Sequence, residues 1–242
     1  MRLVEDVRAL LDASPDLAAI LNLAPFGNFA ELAGALFASI CNSPAIGQTV
    51  ANAYRDKTLV EITAYDIAET ARRNFEPGGQ PATLLFSRGA QAIMAHRVAH
   101  KVWTDGDTNL SLALKAAFGR AFTTDIHPAA QIGAGLWLDH GLGFVVGETA
   151  IIAEDVSIWH NVTLGSTLSY SGPRRHPHVE TGAVIGAGAI LLGNITVGAH
   201  ANIAAGAIVI QDVPQNTLLV GAKATERGTA KVSFVKATGS VQ

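Results

Sequence analysis

Fifteen positions separate Asp125 from His140 in the stretch "DIHPAAQIGAGLWLDHG", and Asp139 adjoins the histidine. A carboxylate held against one nitrogen of an imidazole fixes its tautomer and leaves the other nitrogen to take a proton. With an unperturbed pKa of about 6.5, such a histidine is a base poised near neutrality. Positioned proton transfer of this kind is worth about 10²–10⁴ in rate. A second concentration of polar groups lies in "GSTLSYSGPRRHPH", which holds Arg174, Arg175, His176 and His178. Loops that leave a rigid scaffold are where binding groups tend to sit.

Other reactive residue types have blander readings. His96 and His100 stand four apart on a predicted helix, a spacing that can hold a metal. No glutamate accompanies them in the metalloprotease arrangement, so no metal is expected there. The one cysteine, Cys41, lies at helical spacing in "ELAGALFASICNSP", which reads as core packing and not as a nucleophile. His127 is expected to be structural, with contact to substrate as the alternative, and His160 and His200 are expected to be rim or subunit-contact residues, with a place in the site wall as the alternative for His160. Trp103, Trp137 and Trp159 are expected to pack, since their spacing supports no aromatic ladder.

The elements that must position these groups differ between the two halves of the chain. From Arg2 to about Arg120 the apolar residues follow helical spacing. Ser14 and Ser43, each followed by proline, look like helix caps, and "NFEPGGQPAT" (74–83) is the clearest break. "LLFSRGAQAIMAHRVAHKVW" reads as one long helix. Beyond Thr124 aliphatic or aromatic residues recur every six positions: Ile126, Ile132, Leu138, Phe144; then Val146, Ile152, Ile158, Leu164; then Val179, Ile185, Leu191, Val197, Ile203, Val209. That period belongs to neither a helix nor an ordinary strand, and it describes a parallel β-helix of hexapeptides, one hexad to each face of a triangular coil. Two interruptions stand out, a two-residue slip placed between Phe144 and Val146 and a loop ejected between Leu164 and Val179. The expected class is α+β in two domains: an all-helical domain over 1–124 and a β-helix over 125–213 with its ejected loop at 165–178, followed by a tail over 214–242. Three hexads make a turn, so Asp125 and His140 fall half a face short of stacking. A pair that faces across neighbouring coils and a solvated polar rim both fit that spacing.

Composition narrows the function classes. Of 242 residues 49% are hydrophobic, enough for a sizeable core, and only 15% are charged, with a formal net charge of -3. Lys and Arg are scattered, so nucleic acid is not an expected partner. No apolar run reaches a membrane span, the first residues lack the apolar core of a signal peptide, and a lone cysteine suits a reducing compartment. The expectation is a soluble cytoplasmic protein.

"DIHPAAQIG", "LDHGLGFVVGETA", "VSIWHNVTLG", "RRHP", "VIGAGAILLGNITVGAHANIAAGAIV" and "DVP", in this order, resemble serine O-acetyltransferase, a hexapeptide-repeat family that passes an acetyl group from acetyl-CoA to L-serine for cysteine biosynthesis. The likeness covers roughly residues 83 to 221. It implies a left-handed coil, homotrimers with sites between neighbouring protomers, and in many members a hexamer built through the helical domains. It also implies that His140 deprotonates the acceptor hydroxyl, that Asp125 orients it, and that the hydroxyl attacks the thioester directly. Asp139, Arg175, His176 and Glu148 fall at acceptor-binding positions. Ser166, Thr167, Ala187 and Ala205 fall along the path of acetyl-CoA, and no metal cofactor is implied.

The chain departs from the family pattern at several of these places. Gly165-Ser166-Thr167-Leu168 stands where the family has Gly-Gly-Thr-Gly, Arg174 replaces an aspartate, and Asn74 occupies a position where an acid holds the amino group, with Glu76 as a substitute. These changes open a second reading, the same chemistry on threonine, homoserine or a specialised hydroxy amino acid, and they loosen any expectation of feedback inhibition by cysteine. A metal-dependent hydratase with three convergent histidines and a non-enzymatic scaffold are the readings from other classes. The chain ends in Gln242 where the family inserts a C-terminal isoleucine into its partner sulfhydrylase, so that complex is not expected.

Overall fold

The structure is a computed structural model that describes residues 2–74, 77–167, 172–226 and Gly228. Among the described residues eight helices come first: α1 (Arg2–Asp12), α2 (Pro15–Leu21), α3 (Phe29–Ile40), α4 (Pro44–Ala53), α5 (Lys57–Asn74), α6 (Gly79–Phe86), α7 (Arg88–Thr104) and α8 (Thr108–Phe122). Ser14 and Ser43 precede the prolines that open α2 and α4, and the Ser43 hydroxyl accepts from the Ile46 N–H at 3.4 Å. One expectation fails. The stretch read as a single helix from Leu84 to Trp103 is cut at Ser87, whose extended backbone and side-chain bond to the Ala90 N–H cap α7. Apolar periodicity runs through the cut because Leu84 and Leu85 before it and Ile93 and Met94 after it are buried in the same core. The break at 74–83 is narrower than the sequence suggests, since Pro81 sits in the first turns of α6, where a missing N–H costs little.

The β-helix follows. Its first coil is β1 (Asp125–Ile126), β2 (Gln131–Ile132) and β3 (Trp137–Leu138), and its second is β4 (Val145–Val146), β5 (Ile151–Ile152) and β6 (Ser157–Ile158). The third is β7 (Thr163–Gly165), β8 (His178–Val179) and β9 (Val184–Ile185), and the fourth is β10 (Ile190–Leu192), β11 (Thr196–Val197) and β12 (Asn202–Ile203). Strands β13 (Ile208–Val209) and β14 (Leu218–Leu219) close the stack. Three parallel sheets result, ordered β1-β4-β7-β10-β13 (first face), β2-β5-β8-β11 (second face) and β3-β6-β9-β12-β14 (third face). The second residue of each strand points inward, and Ile152, Ile158, Leu164, Ile185 and Leu191 are buried in one continuous column. The coil is left-handed, against the usual preference of parallel crossovers. His140, Asp155, Asn161, His200 and Asn216 take φ of 57–58° at its corners, a region that Asn, Asp and His enter more readily than other side chains.

Register places the phase slip more sharply. Val145 pairs with Thr163 and Thr196 with His178, offsets of 18 residues, but Asp125 pairs with Val145 and Trp137 with Ser157, offsets of 20. The two extra residues therefore lie in the turn between β3 and β4, before Phe144 and not after it. Phe144 fills a corner of the core, as Ala130 and Ala150 do. The enlarged turn carries Asp139 and His140.

The helices dock on the first two coils through buried polar contacts. Arg97 of α7 pairs with Asp66 of α5 through Nε at 3.0 Å and Nη2 at 3.2 Å, and it also donates to the carbonyls of Gly133, at 2.6 Å, and Ile132. Asp66 in turn accepts from the Gly135 N–H at 2.7 Å. Burial pushes the Asp66 carboxyl up, and the Arg97 charge opposes that shift. Arg73 at the end of α5 donates to the Val156 carbonyl at 3.1 Å and to Ser157 Oγ at 3.2 Å. At Gly89 the approach is closest, since a Cβ there would lie 1.8 Å from the Leu138 carbonyl oxygen.

Candidate active site

The residues singled out from sequence sort onto two different corners of the coil. Asp139, His140 and His160, with Ala187 and Ala205 on later coils, follow strands of the third face and turn toward the first. His127, Glu148, Ser166, Thr167, Arg175 and His176 follow strands of the first face and turn toward the second. Within one chain the width of the first face separates the two sets.

The third–first corner opens on a crevice of about 280 Å³ between the coil and the ends of α5, α6 and α7, lined by Asn74, Arg88, Gly89, Trp137, Asp139 and His140, among others. The enlarged turn throws the His140 side chain outward, 65% exposed, while Asp139 stays 15% exposed with Oδ2 3.4 Å from His140 Nε2. The His160 ring, one coil below, lies 5.6 Å from that of His140. Trp137 and Trp159 meet edge to face at 4.8 Å on successive coils, so two of the three tryptophans do form a contact that their spacing concealed. Arg88 in the lining donates to the Phe122 and Ala121 carbonyls and to Thr123 Oγ1. Asp125 lies on the outer side of the first face, and its carboxylate contacts Lys115 of α8. The carboxylate within ion-pair distance of the His140 ring is that of Asp139.

The first–second corner is an ordered polar cluster. Arg175 Nη2 donates to Glu148 Oε2 at 2.7 Å, and the Glu148 carboxyl is held below the usual carboxylate range, chiefly by that bond. Thr149 Oγ1 accepts from the Arg175 N–H at 2.9 Å and lies 2.9 Å from His176 Nδ1, which also accepts from the Thr149 N–H at 3.2 Å. An Nδ1 that accepts makes His176 a neutral ring protonated at Nε2, and its depressed pKa, caused first by burial and then by Arg175, agrees. A Cβ at Gly147 would lie 1.9 Å from His176 Nε2, so only glycine leaves room for that ring. His127 beside it is also held below its ordinary pKa by burial. Arg174 is directed elsewhere, to Asn194 and to Thr196 Oγ1. Leu168, Glu76 and the tail beyond residue 228 lie outside the described residues.

His96 and His100 behave as structural groups: His96 is buried and held well below its ordinary pKa by that burial, and His100 Nδ1 lies 2.7 Å from the Pro128 carbonyl. Burial raises the Cys41 thiol, which disfavours a nucleophilic thiolate. Sequence reasoning passed over Gly89, Lys115 and Thr149. Thr149 lies inside the quoted "GETA", but nothing local to Gly89 or Lys115 marks what they touch.

No protein-family model matches the chain. It is 40% identical over 227 residues to the serine acetyltransferase of Salmonella typhimurium, covering 90% of this chain and 83% of that one. Among solved structures it is similar to Neisseria gonorrhoeae serine acetyltransferase in complex with serine (TM-score 0.80, 35% identity, 93% of this chain and 95% of that one). It is also similar to the Brucella abortus serine acetyltransferase in complex with coenzyme A (TM-score 0.82, 33% identity, 96% and 95%).

Proposed function

We propose, for a chain that belongs to the serine acetyltransferase family, that His140 is the general base of acetyl transfer from acetyl-CoA to the hydroxyl of L-serine. The observation that carries this is the exposed His140 imidazole at the mouth of the crevice, with the Asp139 carboxylate 3.4 Å from it. The serine and coenzyme A complexes of the two solved relatives supply the substrate classes.

In this reading the serine hydroxyl gives its proton to His140 as its oxygen attacks the thioester carbonyl. The tetrahedral intermediate collapses with breakage of the C–S bond, and the imidazolium returns the proton to the departing thiolate, leaving O-acetylserine and free CoA. Asp139 beside the base suits the α-ammonium of the amino acid. Asp125 is assigned the orienting role on the ring, which requires its carboxylate to exchange Lys115 for His140. Arg175 is assigned the acceptor carboxylate, with Glu148 and Thr149 fixing its fork and its backbone and His176 holding Thr149 in place. Ala187 and Ala205 lie below His140 and His160 on the same corner, where small side chains leave a strip for the pantetheine arm, and Ser166 and Thr167 flank the other corner. Because these groups occupy opposite edges of the first face, the site is completed when the third–first corner of one protomer meets the first–second corner of the next in a homotrimer. Exposed Val145 and Ile208 on the outer side of that face favour its being covered. Pairing of trimers through the helices into a hexamer extends the same reading.

Asn74 in the crevice, where the family pattern has an acid, supports a second reading with threonine, homoserine or another hydroxy amino acid as acceptor. Thiol release from acetyl-CoA, measured with each acceptor, separates the two by kcat/KM. His140→Ala is expected to lower the serine rate by about 10²–10⁴ with the circular dichroism spectrum unchanged; a variant that keeps its rate would remove His140 from the mechanism.

A further inference from the structure

We propose that Asp139, His140 and His160 form an inhibitory site for a divalent zinc-like cation, an inference that rests on the proposed role of His140 as base. One ligand atom from each residue lies within 4.8 Å of the other two. Two imidazoles and a carboxylate are a familiar zinc donor set, leaving a fourth position for water. Ligands at about 2.0–2.1 Å from a tetrahedral zinc stand about 3.3–3.4 Å from one another. The Asp139–His140 edge, at 3.4 Å, already has that length, and the edges to His160, within 4.8 Å, need to close by no more than about 1.5 Å.

The surroundings agree with a ligand role for His160. Its Nδ1 is buried and has no hydrogen-bond partner among the described residues, so the ring is not committed to a structural bond on that side. His140, in the enlarged turn, and His160, one coil below, occupy the same corner, and the rings are tilted by 56° instead of stacked. The exposed His140 gives a cation a path from solvent. A cation bound there takes the imidazole lone pair that would accept the serine proton and neutralises the carboxylate beside it. It would act against the reaction and not as its cofactor.

Titration of zinc chloride into the metal-free full-length protein, followed by calorimetry, is expected to show one zinc per chain. Acetyl transfer should fall in step with occupancy and return on addition of EDTA. In His160→Gln, transfer without metal is expected to stay within about twofold of wild type, while zinc affinity and the inhibition midpoint weaken by about tenfold or more. Equal zinc affinity in wild type and His160→Gln overturns the site, as does a zinc-saturated enzyme at full rate. Should His160→Gln fail to fold, cobalt(II) in the wild-type protein decides: intense visible bands of a four-coordinate ion that zinc displaces support the site, and their absence removes it. The calorimetric comparison of wild type with His140→Ala needs no turnover, so it tests the metal site even if no hydroxy amino acid proves to be a substrate.

Discussion

His96, His127 and His176 are each held below the ordinary imidazole pKa, with burial as the first cause. An unfolded chain takes up protons on these rings as pH falls through about 6.5, while the folded chain resists until lower pH. The stability they contribute is therefore complete above that value and is lost as pH falls below it. The Glu148 carboxyl, depressed by Arg175, has the same sign but acts only near the acid end, below its unfolded value of about 4.3. The thermal midpoint is thus expected to drop between about pH 6.5 and pH 5, with Asp66, whose carboxyl burial pushes up, acting in the opposite sense as it takes up its proton. His96 is the deepest of the three and its Nδ1 has no partner among the described residues, so His96→Gln should flatten that drop. A midpoint that is constant from about pH 7.5 to pH 5 would show that these rings are not held neutral by the fold.

Between elements, the contact that decides the site is that of α7 with β3. Gly89 lies in the first turn of α7 and meets the Leu138 carbonyl, and Leu138 leads directly into Asp139 and His140. In Gly89→Ala the new methyl cannot be accommodated without pushing the helix off the coil. Overpacking of this kind costs about 1–3 kcal/mol, and here the displaced backbone carries the base. Both the denaturant midpoint and kcat/KM are expected to fall, and a variant with native stability and rate would show the contact to be compliant. Nothing in "SRGAQA" announces this requirement, because a glycine in the first turn of a helix reads locally as a mere propensity cost. The six-residue period, by contrast, was legible at once, since inward Ile, Leu and Val at strand positions leave a direct imprint on sequence. The residue types on which the proposed chemistry rests, at Asp139, His140 and Arg175, were also visible in the sequence. Spacing showed a two-residue slip but set it after Phe144, whereas register puts the enlargement in the turn before Phe144 and makes the first-coil offset 20; nothing in the spacing showed that Asp125 lies against Lys115. Apolar periodicity likewise could not register a polar cap such as Ser87.

For the molecule as a whole, the division of the site between two corners makes a prediction that a one-chain pocket would not. His140 belongs to the third–first corner and Arg175 to the first–second corner, so in a trimer each site takes one residue from each of two neighbours. His140→Ala and Arg175→Ala homotrimers are each expected to be impaired, the first in rate and the second chiefly in acceptor KM. If the two variants are unfolded together in equal amounts and refolded, random mixing places an intact His140 corner against an intact Arg175 corner at about a quarter of the interfaces. Activity is then expected to return to about a quarter of the wild-type value, with a wild-type KM, because the rescued sites are whole. The rescue should scale as the product of the two mole fractions and vanish when either variant is refolded alone. A mixture no more active than the sum of its parts would place both residues in a pocket of a single chain, and the route from two corners to one site would have to be sought in a rearrangement of the ejected loop.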